Sequence, residues 1–234
     1  MTPIELEYGQ EAINNEIKKI YHQGKFENGY ILDGVADTEG YLNSYPKIAW
    51  ILKEAWDEEK GGEWDLVKEV IVRQNRATIS KTPSLRKAAY TSSAIHSDSL
   101  WDDIPWITED DSIANALKKT AWINISKIAG KSKSDSYNLS KAFPHWKGII
   151  QKQLDLYSPD IIILGNTYHF VKEILHIDNV EPNYKEGSAW GYNDSNRRLI
   201  IWAYHPAARI KDSDYVDDIV DLIRKYSDNF NPSF

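Results

Sequence analysis

The order of apolar runs predicts an α/β fold: three layers around a central, mostly parallel four-stranded sheet. Three observations carry this expectation. Four short, continuous apolar runs are bounded by proline, glycine or polar residues. Segments with apolar residues at helical spacing lie between them. The runs lack the polar alternation of a sheet with one wet face, so strands covered on both faces, hence parallel, are expected.

The first run is Ile48–Leu52 in "YPKIAWILKEAW", entered through Pro46. The second, "TAWINISK", covers 120–127. The third, "SPDIIILGN", starts at Pro159, fills Ile161–Leu164 and ends at Gly165. The fourth is "RRLIIWAYHP", which runs into His205 and Pro206. Leu139, Ala142, Phe143, Trp146, Ile149, Ile150, Gln153, Leu154 and Tyr157 follow one helix face, as do Tyr215, Ile219, Val220, Ile223 and Tyr226. Residues 9–22, 64–75, 111–119 and 167–176 also read as helices, the last with Asn166 or Thr167 as its cap. Strands alternating with helices give a doubly wound layer fold.

A chain of 234 residues without repeats, low-complexity tracts or Pro/Gly/Ser-rich linkers reads as one domain, 1–234. No cysteine is present, so disulfides, thiol nucleophiles and cysteine-ligated metal centres are excluded. "MTPIELEYGQEAINNEIKK" has no apolar core of signal-peptide length, and no run reaches the roughly 18 apolar residues of a membrane span. A soluble, cytoplasmic protein without membrane contact is expected.

The net charge of -7 argues mildly against a nucleic-acid partner, but its distribution does not. Arg73, Arg76, Lys81, Arg86 and Lys87 fall in an acid-free stretch from Val70 to His96. Eight lysines and a single acid, Asp135, lie between Lys118 and Lys152. These are either ordinary solvated faces or one basic face suited to phosphates.

In doubly wound folds ligands bind beyond the carboxyl ends of the strands. Those ends read "KEAWDEEKGGEW", "NISKIAGKSKS", "GNTYH" and "YHPAAR". His205 is either a turn residue or a working one. His145, His169 and His205 lack tight ligand spacing, so no metal is expected, and no glycine-rich phosphate fingerprint suggests a cofactor.

The four ends in this order resemble the uracil-DNA glycosylase superfamily, in particular its thermophile-type iron–sulfur branch. "KEAWDEEKGG" is similar to the family's Gly-Glu-Ala-Pro-Gly motif, with Glu54 and Ala55 in the Glu-Ala places. "INISK" resembles Thr-Asn-x-x-Lys through Asn124 and Lys127. "SPDIIILGN" resembles the family's Pro-x-apolar-Leu-Gly strand, and "YHPAAR" its Tyr-His-Pro-Ser end. The likeness spans about Pro46–Lys211 and leaves 1–45 as an N-terminal helical extension. The chain departs from the pattern at Lys53, Trp56, Asp57 and Ala207. Ile128 and Trp146 stand about where two cluster cysteines fall, so Trp146 would fill that space by packing.

The resemblance implies a uracil-DNA glycosylase-like fold and a DNA glycosylase-like activity: hydrolysis of the N-glycosidic bond of uracil or another deaminated base. His205, neutral, would donate a hydrogen bond to the departing base, and Glu54, or else Asp57, would face the developing cation and orient water. Asn124 would read the base edge and Trp64 would stack on a flipped base. Lys127, Lys131 and Lys133, with Ser126, would touch phosphates. Arg209 and Ile210 stand where the family inserts a wedge into the duplex. DNA, single-stranded or mismatched for preference, is the implied partner. The altered first motif keeps open a degenerate member of the fold that binds nucleic acid or a nucleobase-like ligand without cleavage.

Overall fold

The computed structural model describes residues 1–57, 61–131, 134–177, 180–194 and 198–230, the last three as backbone. In chain order it contains α1 (Pro3–Gln23), β1 (Ile31–Leu32), α2 (Thr38–Asn43), β2 (Ile48–Leu52), β3 (Trp64–Asp65) and a π-helical stretch (Val67–Val72). Then come α3 (Arg76–Lys81), α4 (Pro83–Ser97), a 3₁₀ turn (Trp101–Asp103), α5 (Asp111–Asn115), a second 3₁₀ turn (Ala116–Lys119) and β4 (Ala121–Asn124). The rest is α6 (Ser136–Tyr157), β5 (Ile161–Gly165), α7 (Tyr168–Val171), β6 (Tyr184–Glu186), β7 (Ala189–Asn193), β8 (Leu199–Ala203) and α8 (Asp212–Phe230).

The main sheet has the order β4-β2-β5-β8-β7-β6. β4, β2, β5 and β8 run parallel, and these are the four runs read from the sequence. The sheet nevertheless has six strands, not four: β7 joins β8 antiparallel, and β6 joins β7. The hairpin lacks the signal that marked the others. "YKEGSAWGYN" has no continuous apolar run, because it closes an edge and β6 is only partly buried.

Alternate residues of the parallel strands feed two cores. Ile48, Trp50, Trp122, Ile161, Ile163, Leu199 and Ile201 face α4, α5 and α8. Ala49, Ile51, Ala121, Ile123, Ile162, Leu164 and Ile200 face α1, α6 and α7. Each buried large apolar side chain contributes about 1.5–3 kcal/mol, so both faces must be covered. Two-sided burial is why these strands lack alternation. Trp146 is fully buried and stacks on Phe26 at 5.4 Å, with Ile128 packed against the same core.

Local chemistry explains other departures. α1 starts at Pro3 rather than residue 9, because Thr2 and Glu5 form a reciprocal capping box and Pro3 suits the first turn. The expected helix 64–75 divides: Trp64 and Asp65 pair with Ile31 and Leu32, and a π-helical stretch follows. Asp65 Oδ1 accepts the N–H groups of Val67 and Lys68 and turns the chain there. The helix expected over 167–176 stops at Val171. Thr167 precedes it, but its hydroxyl donates to the Ile51 carbonyl instead of capping. α4 carried no clear amphipathic signal, since it is buried on several sides through small residues such as Ala88, Ala89, Ser92 and Ala94.

Residues 1–45 supply structural parts of the sheet's surroundings. α1 packs on α6, and Asp33, after β1, enters the interior beside β4. There it meets Lys127, which is wholly buried. The Lys127 ammonium donates to Asp33 Oδ1 at 2.8 Å, Asp33 Oδ2 at 2.7 Å and Gln153 Oε1 at 2.8 Å. Gln153 Nε2 donates to Asp33 Oδ1 and the Asn124 N–H to Asp33 Oδ2. All three ammonium protons are used. Lys127 therefore cannot reach a phosphate, contrary to the sequence expectation. A lysine so deep is tolerated only with a partner for every charge. Ser126 is buried too, its hydroxyl accepting the Ile128 N–H.

Lys127→Met should lower unfolding free energy by about 3–5 kcal/mol, because it strands the Asp33 carboxylate without its counter-charge. Lys131→Ala, at an exposed site, should stay within about 0.5 kcal/mol of wild type. Denaturant unfolding of both variants checks the contrast; equal stability would refute the buried role.

Candidate active site

A cavity of about 530 Å³ opens beyond the carboxyl ends of β2, β4 and β8. Its wall includes Glu54, Asp57, Trp64, Asn124 and His205. All five were singled out from sequence as catalytic or base-binding candidates, and the fold brings them around one space. Leu52 and Asn124 end adjacent strands, and His205 lies two residues past β8.

The loops after β2 and β4 are laced together. Ile125 and Ser126 N–H donate to the carbonyls of Leu52 and Lys53, Gly130 N–H to Ala55, and Asp57 N–H to Gly130. This pairing carries Glu54 across Gly130, where a Cβ would stand 2.0 Å from Glu54 Cγ. Glu54 Oε2 is buried without a hydrogen-bond partner. Burial raises its carboxyl pKa above the ordinary value, against the opposing effects of Ser134 and Lys53.

Asp57 is buried, and its Oδ2 accepts the Trp64 indole N–H at 2.7 Å and the Gly62 N–H at 3.0 Å. One oxygen of Asp57 thus sets the angle of Trp64 against the cavity. Trp122 is buried in the wall behind, stacked over Trp50, while Trp56 is exposed at the rim. Asn124 is 4% exposed. Its backbone is tied to Asp33, and its side-chain amide makes no hydrogen bond among the described residues.

The His205 ring is oriented by its own turn. Nδ1 accepts the Ala207 N–H at 3.1 Å, and the Ala208 N–H donates to the His205 carbonyl at 2.7 Å. With Nδ1 as acceptor, the proton of the neutral ring resides on Nε2. Burial, assisted by the Lys53 charge, lowers the pKa to about 4. Two residues that the sequence did not assign to the site hold this loop from below. Tyr215 Oη donates to the Tyr204 carbonyl, and the buried Lys87 ammonium donates to the Ala208 carbonyl at 2.6 Å. Asp212 stands 3.9 Å from that ammonium and binds Arg86 at 2.6 Å. In the sequence Lys87 counts only as one cation of the acid-free stretch from Val70 to His96.

The expected phosphate contacts fare differently. Lys131 and Arg209 are exposed. Lys133 lies outside the described residues. Ile210 packs against the α4–α8 core instead of standing out as a wedge. The two basic stretches do not form one continuous cationic face: Lys87 and Lys127 are buried, Arg73 pairs with Glu69, Lys147 with Glu173 and Lys152 with Glu16. Among the described residues no group of three or more histidine or acidic side chains could hold a metal, and no helix is long and apolar enough to cross a membrane. Comparison with protein-family models and with curated proteins finds no match.

Two measurements check this geometry. The His205 imidazole should stay neutral, with its proton on Nε2, down to about pH 4 in ¹⁵N spectra; a midpoint near 6.5 would mean a solvated ring. Gly130→Ala should push Glu54 aside, and the Glu54 carboxyl should then titrate nearer the ordinary value of about 4.3.

Proposed function

We propose that this chain is a DNA glycosylase-like enzyme that takes an extruded base into the cavity and hydrolyses its N-glycosidic bond. The observation that carries the reading is that His205, with Nδ1 already accepting the Ala207 N–H, a half-buried Glu54 and the Asn124 side chain line one cavity. Uracil and other deaminated bases are the substrate class implied by the sequence resemblance.

The bond between C1′ and the base nitrogen breaks, its electron pair leaves with the base, and positive charge grows on the sugar. His205 Nε2–H donates to the departing anion. A ring whose pKa is already low keeps that proton as a donor and does not charge against Lys53. Glu54, ionised, faces the sugar cation and accepts the proton of the water that adds to C1′. Its raised pKa makes it a better base than an exposed glutamate. Asn124 offers one donor and one acceptor to the base edge, and Trp64, held by Asp57, offers a stacking face.

The assay is abasic-site cleavage on labelled oligonucleotides carrying uracil or hypoxanthine. Wild type should release base, faster from single strands and mismatches, where a few kcal/mol of pairing need not be lost. His205→Ala should be about 10²–10³-fold slower. The wild-type rate should rise with pH through the elevated Glu54 pKa and show no step near 6.5, because His205 is neutral down to about pH 4. Glu54→Gln should abolish that rise. Tight base binding without release from any substrate would replace this reading by a non-catalytic binding protein.

A further inference from the structure

We infer that a second cavity, sharing the Gln74 side chain as a party wall with the first, is a subsite for the phosphate of the nucleotide whose base occupies the candidate active site. This rests on the base-binding reading above and adds the partner group that reading leaves unplaced.

The second cavity has a volume of about 480 Å³ and lies between the start of α3 and the α5 segment. Gln74 follows the π-helical stretch whose Glu69, Val70 and Ile71 line the first cavity, and it lines both spaces. The charges on the two sides differ. The first cavity carries the carboxylates of Glu54 and Asp57, and that of Glu69 paired with Arg73, with no lysine or arginine among its described lining residues. A phosphate would be repelled there, whereas a neutral base would not. The second is lined by Arg76 and Lys118 against one acid, Asp111. Arg76 is only partly committed, donating to the Glu109 carbonyl at 3.2 Å and lying 3.4 Å from Asp111. Lys118 has no ion-pair partner among the described residues. Asn115 adds an amide.

Gln74 itself supplies the independent sign of a ligand. Its Oε1 is buried without any hydrogen-bond partner. Such a group loses free energy unless a donor comes to it. At the wall between a base site and a cationic site, the donor that fits is the 3′-hydroxyl of a free nucleotide or, within a strand, where both sugar oxygens are esterified, an N–H of the base edge. Base, sugar and phosphate would then meet, in order, the first cavity, Gln74 and the Arg76–Lys118 pair. With Lys127 buried, this pair also offers an anchor for the backbone that the sequence had assigned to the loop after β4.

The shared chemistry is a nucleotide, either free or within a strand. The test titrates the full chain with 2′-fluoro-2′-deoxyuridine, its monophosphate, and a pentanucleotide carrying that residue at its centre. The fluorine disfavours the sugar cation, so binding is read without cleavage. Tryptophan emission reports occupancy through Trp56, Trp64 and Trp122. The phosphate should tighten binding about tenfold or more, as hydrogen bonds to a charged group do. Lys118→Ala and Arg76→Ala should each remove most of that gain and leave nucleoside affinity unchanged. Gln74→Leu should weaken nucleoside and nucleotide alike. For the pentanucleotide, each lysine or arginine lost should flatten the salt dependence by about 0.7 in log–log slope. A gain for the monophosphate but not the pentanucleotide identifies a free nucleotide as the source; a gain for both identifies a strand. Nucleoside binding that phosphate does not improve, or a gain that survives both substitutions, overturns the subsite while leaving the base reading intact. Failure of nucleoside and nucleotide alike overturns both.

Discussion

The site depends on a buried ion pair. Asp33, Lys127 and Gln153 come from three separate parts of the chain, and their polar atoms close on one another in the interior. The pair is not a simple source of stability, since desolvating two charges consumes most of the attraction between them. Its effect is positional. Asp33 Oδ2 also accepts the Asn124 N–H, so the end of β4 cannot shift without uncovering a charge. Because the loop after β4 is laced to the loop after β2, the constraint extends to Glu54.

The opposite side of the cavity is held by a second buried lysine. Lys87 reaches from α4 to the Ala208 carbonyl, and Tyr215 reaches from α8 to Tyr204. The turn that carries His205 is thus fixed from inside, leaving its ring to be tuned by burial, Lys53 and the Ala207 N–H. Two lysines that look like surface charges in the sequence are internal struts. The outward field of the molecule is correspondingly weaker than its lysine count suggests, and the remaining cations matter by place rather than number.

The wall between β3 and α3 is the least regular part of the site. Asp65 bends the chain into the π-helical stretch, an arrangement often found at functional positions. That turn sets Glu69, Val70, Ile71 and Gln74 against the cavity. Asp57, in the loop before β3, spends one oxygen on Trp64 and Gly62, so an acid of that loop positions an aromatic face.

The sequence by itself determined the parallel core. Ile48–Leu52, Ile161–Leu164 and the run ending at Ala203 are apolar without alternation because both faces are covered, and that signal is local. It also determined which residues lie past the strand ends, which is why Glu54, Asn124 and His205 could be selected together. The β6–β7 hairpin, the division of residues 64–75 and α4 were decided by tertiary structure. Their residues are chosen for an edge, a turn and burial on several sides, and such demands leave no single period. The fates of the charges were decided there too. Nothing local distinguishes Lys127, wholly buried, from exposed Lys131 four residues on. The difference is made by Asp33 and Gln153, some 94 and 26 residues away. Burial of a charge is set by its partners, and partners distant in sequence are brought together only by the fold.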